Sequence, residues 1–126
     1  MSFATDIYAV MTGDSSLNST INGGINYENL PDNFDLSKKW ILYFFRISSQ
    51  VNCLSTKNAY KLYALDVLLI EQNTEDLLSL TDYVINYLNG TEEGGIIDIT
   101  FLNDAHSFDQ EKNIYMNQLS FEVAYK

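Results

Sequence analysis

His106 is the only histidine in the chain, and it stands in the acidic stretch NDAHSFD between Asp104 and Asp109. Imidazole and carboxylate groups are good ligands for divalent metals, so this stretch is the first candidate for chemistry. However, the spacing matches no specific metal motif, and none of the 17 acidic residues stands beside a second histidine or a nucleophile that could act with it. We therefore predict no catalytic residue, no metal and no cofactor, and we interpret the protein as non-enzymatic.

The glycine pair Gly23-Gly24 in INGGINYENLP is the second candidate, because glycine-rich loops can bind phosphate. A dinucleotide fingerprint needs G-x-G-x-x-G before a helix, and a P-loop needs G-x-x-x-x-G-K-[ST]. The pair satisfies neither pattern, and the sequence after it predicts a short strand ended by Pro31. We interpret the two glycines as a turn.

Charge is unevenly distributed along the chain, whose formal net charge is −10. Every Lys and Arg lies between Lys38 and Lys61 or at Lys112 and Lys126, so the interval 62–111 contains no Lys or Arg beside its many Asp and Glu residues. Affinity for nucleic acid depends on basic side chains that displace counterions from phosphates. The interval therefore indicates either an ordinary solvated surface or a surface past which nucleic acid moves without binding.

The bulk composition indicates one domain that covers all 126 residues, with 46% apolar and 13% aromatic residues. Cys53 is the only cysteine, which excludes an intrachain disulfide and suits a reducing compartment. The N-terminal residues lack the pattern of a signal peptide, and no apolar run approaches the ~20 residues of a membrane span. We expect a soluble chain, made in a cytoplasm and not associated with a membrane.

Periodicity predicts the element order α-β-β-β-α-β-β. The first helix, capped by Ser2, covers Phe3–Met11, and the second covers Thr74–Asn89 with Thr74 as its N-cap. The strands are predicted at Ile25–Asn29, Lys39–Ser48, Tyr60–Glu71, Ile96–Leu102 and Ile114–Tyr125, with loops at Asn18–Asn22, Gln50–Asn58 and Ala105–Gln110. This order predicts an α+β domain with a mostly antiparallel sheet of about four to five strands, backed by two helices.

Two of these strands are apolar on both faces, which is typical of strands covered on both sides. In WILYFF, Trp40, Leu42 and Phe44 form one face, and in the next strand Tyr63 begins another apolar face. Two short helices cover only part of this area, so the remainder suggests a subunit interface. The candidates are Trp40, Leu42, Phe44 and Tyr63, together with Val51 and Leu54 from the connection between the strands.

Taken together, five segments resemble the tail terminator or tail-completion proteins of long-tailed bacteriophages. The segments are DIYAVMTGDSSL, GGINYENLP, WILYFFRIS, YALDVLLIEQNTEDLLSLTDYVINYLNG and YMNQLSFEVAYK. They correspond to the family's N-terminal helix, an aliphatic-Tyr-x-x-x-Pro segment, an aromatic strand, a strand followed by a helix, and a closing aromatic strand. The resemblance covers most of the chain and lies in the order of elements.

The resemblance implies a structural virion protein, made in the cytoplasm of a bacterial host and located in the tail or neck. Such a protein forms a homo-oligomeric ring, here expected to be a hexamer, which caps the tail tube and contacts the tube protein and a head-tail connector protein. Viral DNA passes through the ring without binding, and we expect Glu92, Glu93, Asp104 and Asp109 near its inner surface or rim. Two alternatives remain open: another neck component, either a head-completion or a portal-adaptor ring, and a small acidic inhibitor that mimics DNA.

Overall fold

The computed structural model describes residues 2–32, 34–52 and 59–126. Its elements in chain order are α1 (Phe3–Thr12), α2 (Ser15–Thr20), β1 (Gly24–Tyr27), β2 (Trp40–Asn52), β3 (Ala59–Glu71), α3 (Thr74–Leu88), β4 (Ile96–Asp109) and β5 (Ile114–Tyr125). The strands form one sheet in the order β1-β2-β3-β5-β4. Only β1 and β2 pair in parallel among the described strands, and the other pairs are antiparallel. The predicted α+β class and mostly antiparallel sheet are confirmed.

A third helix, α2, occupies part of the segment that was predicted to be a loop from Asn18. The helix forms because the side chain of Asp14 accepts a hydrogen bond from the backbone N–H of Leu17 at 3.1 Å. Leu17 is then buried in the core together with Ile21, which follows the helix. A helix of six residues is too short to show a periodic pattern of apolar residues, so only its capping residue, Asp14, could have indicated it.

Strand β4 is longer than predicted. The segment Ala105–Gln110 was expected to be a loop, but the strand continues through it to Asp109. β4 and β5 remain paired along this stretch until Asp109 meets Ile114. Most side chains here are exposed whether they are polar or apolar, so the sequence shows no alternation between a buried and an exposed face. This half of β4 is therefore stabilised by backbone hydrogen bonds to β5, and burial of its side chains contributes little.

Helix α3 begins as predicted at Thr74, but its N-cap is Asn73 and not Thr74. The Asn73 side chain accepts a hydrogen bond from the backbone N–H of Asp76 at 3.1 Å. Gly90 follows the helix with φ of 81°, a conformation that glycine adopts without strain. Within the described ranges, no helix combines the length and the apolar character needed to cross a membrane.

The main core lies between the helices and one face of the sheet, which we call the helix face. It contains the predicted alternate residues of β3, namely Leu65, Val67 and Leu69, and those of β5, namely Leu119, Phe121 and Val123. The helices contribute residues spaced by three or four positions: Phe3, Ile7, Val10, Met11, Leu77, Leu80, Val84 and Leu88. Burial of this many large apolar side chains is the dominant stabilising term of the fold.

The opposite face of the sheet, which we call the open face, is covered by described residues at one end only. There the segment before β2 folds over the sheet, and Leu30, Phe34 and Leu36 pack on a second cluster of Trp40, Leu42, Ile70 and Ile114. The indole N–H of Trp40 donates to the backbone oxygen of Asp35 at 2.8 Å. We refer to this end of the sheet as the Trp40 end. The opposite end, where β2 ends at Asn52 and β3 begins at Ala59, is called the hairpin end.

A buried carboxylate joins α1 to the hairpin end of the sheet. Asp6 is 4% exposed, and it accepts hydrogen bonds from the Tyr125 hydroxyl at 2.6 Å and the Gly95 backbone N–H at 3.0 Å. The bond from Tyr125 is the main cause that lowers the pKa of Asp6, and the same bond raises the pKa of Tyr125 to about 12. We call this cluster the Asp6 lock.

The Asp6 lock predicts a loss of stability in alkali. Because the folded-state pKa of Tyr125 lies above its ordinary value of 10.0, the phenol contributes stability that is complete below pH 10. That contribution is lost as the pH rises toward 12, since the tyrosinate cannot donate to Asp6. Thermal unfolding at pH 8 to 11 should show a fall in Tm near the upper limit, and this fall should be smaller in Tyr125→Phe, which keeps only the contributions of other tyrosines whose pKa is raised.

Candidate functional site

The part of the open face that no described residue covers carries exposed acidic side chains beside apolar ones. Strand register places Asp98 and Thr100 of β4 beside Ala124 and Glu122 of β5, with all four side chains on the open face. Asp98, Thr100 and Glu122 are exposed. Neither Asp98 nor Glu122 was among the predicted site residues, although the apolar residues at 119, 121 and 123 imply that residue 122 points away from the core.

The centre of the open face holds a small charged network. The Asp66 carboxylate, whose side chain is 14% exposed, lies 3.4 Å from an Arg46 guanidinium nitrogen. It also accepts a hydrogen bond from the Ser120 hydroxyl at 3.1 Å. The Arg46 side chain is 72% exposed, so the pair contributes little to stability but leaves the guanidinium accessible to a partner.

Glu92 and Glu93 are exposed in the turn between α3 and β4, at the hairpin end of the sheet. Two backbone hydrogen bonds between Glu93 and Ile96 close this turn, and Gly94 has φ of 55°. A side chain on Gly94 would lie within 2.5 Å of the Asp6 carboxylate. The Asp6 lock therefore fixes the position of these two acids.

Asp104 and Asp109 lie in the opposite half of β4, and the register directs them to different faces. Asp104 is opposite Leu119 on the helix face, whereas Asp109 is opposite Ile114 on the open face. Asp104 is 3.1 Å from His106 Nε2 and accepts from the amide of the buried Asn117 at 3.2 Å. Asn117 also donates to the Thr81 hydroxyl at 2.9 Å, so this polar chain links α3, β5 and β4.

The structure thus separates the four predicted acids into two groups at opposite ends of β4. Eight residues separate Ile96 from Asp104, which corresponds to about 25 Å along a strand. In the described ranges, no three Asp, Glu, His or Cys side chains converge as metal ligands. The acids therefore form two separate groups along β4 and no single cluster.

The predicted interface residues occupy several environments. Trp40 and Leu42 are 5% and 8% exposed against the chain's own residues, so the single chain presents almost none of their surface. Phe44 is half-buried on the same face, and Tyr63 stacks on Phe3 on the helix face with ring centroids 3.8 Å apart. Of the two residues from the connection, Val51 belongs to β2 and Leu54 lies outside the described residues.

Strand β4 is an edge strand, but only half of its edge is open. The backbone oxygen of Ile99 accepts from Gly90 at 2.7 Å, and the backbone N–H of Phe101 donates to the Asn89 side chain at 3.0 Å. The end of α3 therefore blocks the edge as far as Phe101. From Asn103 to Asp109, no described residue outside β5 bonds to the backbone.

Strand β2 has an open edge on the other side of the sheet. β1 pairs with β2 from Trp40 to Tyr43, and no described residue continues that pairing from Phe44 onward. Beside this point, Tyr8, Tyr27, Tyr43 and Phe45 line a groove of about 380 Å³, which we call the aromatic groove. Exposed Ile47 follows Phe45 on the same face of β2. Exposed aromatic area of this kind is typical of protein interfaces.

The same fold occurs in a gene transfer agent virion. A chain of the structure described as "Virion of native gene transfer agent (GTA) particle" matches with a TM-score of 0.77 and 12% identity. The match covers 98% of this chain and 93% of the other chain. At this identity, the likeness establishes the fold. No protein-family model and no curated protein matches the chain.

Proposed function

We propose that this protein is a structural subunit of a phage-like virion, and that six copies form a ring at the head-tail junction. The ring caps the tail tube, contacts the tube protein on one side and a head-tail connector protein on the other, and passes DNA during ejection. The observation that carries this proposal is the fold shared, over nearly the whole chain, with a chain of a gene transfer agent virion.

The charge of the open face supports a channel role. Because helices cover the other face of the sheet, the open face is the surface that a ring can turn toward its channel. Asp98 and Glu122 are exposed on it, and the exposed Arg46 is already beside Asp66. A channel lined in this way repels phosphates, which lets DNA slide instead of adhering. Glu92 and Glu93 would then lie toward one rim of the ring, with Asp104 and Asp109 toward the other.

The stoichiometry of the purified assembly tests the proposal. Light scattering at rising protein concentration should give six times the chain mass of 14.4 kDa. An assembly of twelve copies would favour a portal-adaptor ring, and a stable monomer or dimer that binds a basic host protein would favour the acidic DNA mimic. Either result would contradict the terminator role.

Reversal of charge on the open face is expected to make the ring bind DNA. The double substitution Asp98→Lys and Glu122→Lys raises the charge of each copy by about four, and a ring multiplies this change around one channel. We expect duplex DNA to bind the variant at 50 mM salt and to dissociate at 200 mM, as measured by fluorescence anisotropy. Glu75→Lys with Asp82→Lys, the same change on exposed α3, should bind much more weakly. Equal binding by both variants would contradict an open face turned toward the channel.

A further inference from the structure

We propose that the open half of β4 in one copy pairs with the open half of β2 in the next copy. This contact rests on the proposed ring and specifies how its subunits join. A ring needs two different surfaces that fit each other, and the sheet offers two unlike open edges on opposite sides. On the outer side of β4 from Asn103 to Asp109, and on the outer side of β2 from Phe44, no described residue pairs with the backbone.

The strand directions suit this contact. β2 and β3, β3 and β5, and β5 and β4 are each antiparallel, so β2 and β4 run in opposite directions across the sheet. Rotation about a ring axis preserves the component of each strand's direction along that axis, so tilted strands keep their sense from copy to copy. β4 would therefore meet the neighbouring β2 in antiparallel orientation and continue the ladder pattern of the sheet.

The two open halves are displaced along the strands, which sets the register. Within one chain, His106 is level with Ile41 through Asn117 and Leu69. If the neighbouring copy is displaced by six residues along the strands, His106 of one copy is opposite Ile47 of the next. An even number is required to keep both helix faces on the same side. A displacement of six residues corresponds to about 20 Å along the strands. One copy contributes four strand spacings, which correspond to about 19 Å across the strands. The strands would then tilt by about 45° from the ring axis, which agrees with the tilt in closed barrels.

In this register the exposed side chains of the two edges are complementary. Phe108, which is 43% exposed on the helix face of β4, is opposite Phe45 at the aromatic groove. Asp109 on the open face is opposite Phe44 and diagonal to Arg46, within reach of its long side chain. Apolar surface thus meets apolar surface, and the acidic edge meets the edge that carries the guanidinium.

Pairing of β4 with β4 of another copy is disfavoured by the same side chains. Such a contact would place Asp104 and Asp109 of one copy near the acids of the other, and like charges on paired strands are destabilising. It would also join copies in pairs related by a two-fold axis, which closes a dimer and not a ring.

Disulfide cross-linking between differently substituted copies tests the contact. In a Cys53→Ser background, one sample carries Arg46→Cys and the other carries Ser107→Cys, two exposed positions that the register sets opposite each other. Within one chain they lie about 24 Å apart, too far for a disulfide. Thr100→Cys is the matched control, because Thr100 is level with Arg46 when the copies are not displaced.

We expect the mixture of Arg46→Cys and Ser107→Cys copies to give at least fivefold more cross-linked dimer than either sample alone, or than Arg46→Cys mixed with Thr100→Cys. Dimers from Ser107→Cys alone, dimers with Thr100→Cys, or no dimers would overturn the contact. Light scattering of the same samples separates the two proposals. Six-copy rings without the cross-link would leave the ring standing and remove this contact, whereas cross-linked open chains would do the reverse.

Discussion

Replacement of Phe108 with aspartate is expected to weaken self-association at least tenfold while the chain stays folded. Phe108 contacts Tyr115 within its own hairpin, with ring centroids 4.6 Å apart, but 43% of its surface is exposed. Burial of the rest against Phe45 and the aromatic groove would contribute about 1.5–2 kcal/mol per contact, which corresponds to a tenfold change or more. Aspartate also adds a charge to an edge that is already acidic.

Sedimentation velocity across a concentration series measures this effect, and thermal unfolding shows whether the fold is intact. Leu78→Asp is the matched control, because Leu78 is 50% exposed on α3, away from both open edges. The same charge at that site should leave the association unchanged. If Leu78→Asp weakened the association as much as Phe108→Asp, assembly would depend on net charge and not on the edge of β4.

Replacement of Asp6 with alanine should destabilise the fold far more than replacement of an exposed acidic residue. Two donors, the Tyr125 hydroxyl and the Gly95 N–H, would lose their shared acceptor. Hydrogen bonds to a charged group contribute about 1.5–3 kcal/mol each, and donors left unpaired inside the fold add a desolvation cost. We expect a loss of about 3 kcal/mol in the free energy of unfolding and a fall in Tm of about 10 °C.

Asp35→Ala provides the comparison, because the Asp35 carboxylate is exposed and, among the described residues, accepts hydrogen bonds from nearby Ser37 alone. That variant should keep a Tm close to that of the wild type. The folded-state pKa of Asp6 is lowered, so its contribution is present above its unfolded pKa and is lost as the pH falls through the folded value. The difference between the wild type and Asp6→Asn should therefore shrink in strong acid. A constant difference would show that the carboxylate charge has no part in the lock.

Alternation and helical periodicity predicted most of the fold because they report burial. Leu65, Val67 and Leu69 alternate with partly covered residues, and the core stripe of α3 recurs every three or four positions. The same signal failed at residues 105–109, because that half of β4 is held by backbone pairing with mostly exposed side chains on both faces. It also failed at α2, where one cap from Asp14 starts a helix of six residues.

The candidate surfaces were less accessible to sequence reasoning than the core. The sequence predicts Trp40 and Leu42 as interface residues, but Leu30, Phe34 and Leu36 cover them within the same chain. These three residues follow no helical or strand periodicity, so the sequence does not indicate that their segment folds back over the sheet. Asn89 and Gly90 close only the first half of the β4 edge, and β1 ends at Tyr27 and so covers only the first part of β2. Such contacts between distant segments exist only once the chain is folded.

The orientation of the subunit within an assembled ring tests the central claim most directly. An electron cryo-microscopy map of the ring, or of the particle that contains it, should show six copies at the head-tail junction. Asp98 and Glu122 should face the channel, with the helices outside. A map in which the helices line the channel, or a particle whose neck lacks this chain, would contradict the proposed role.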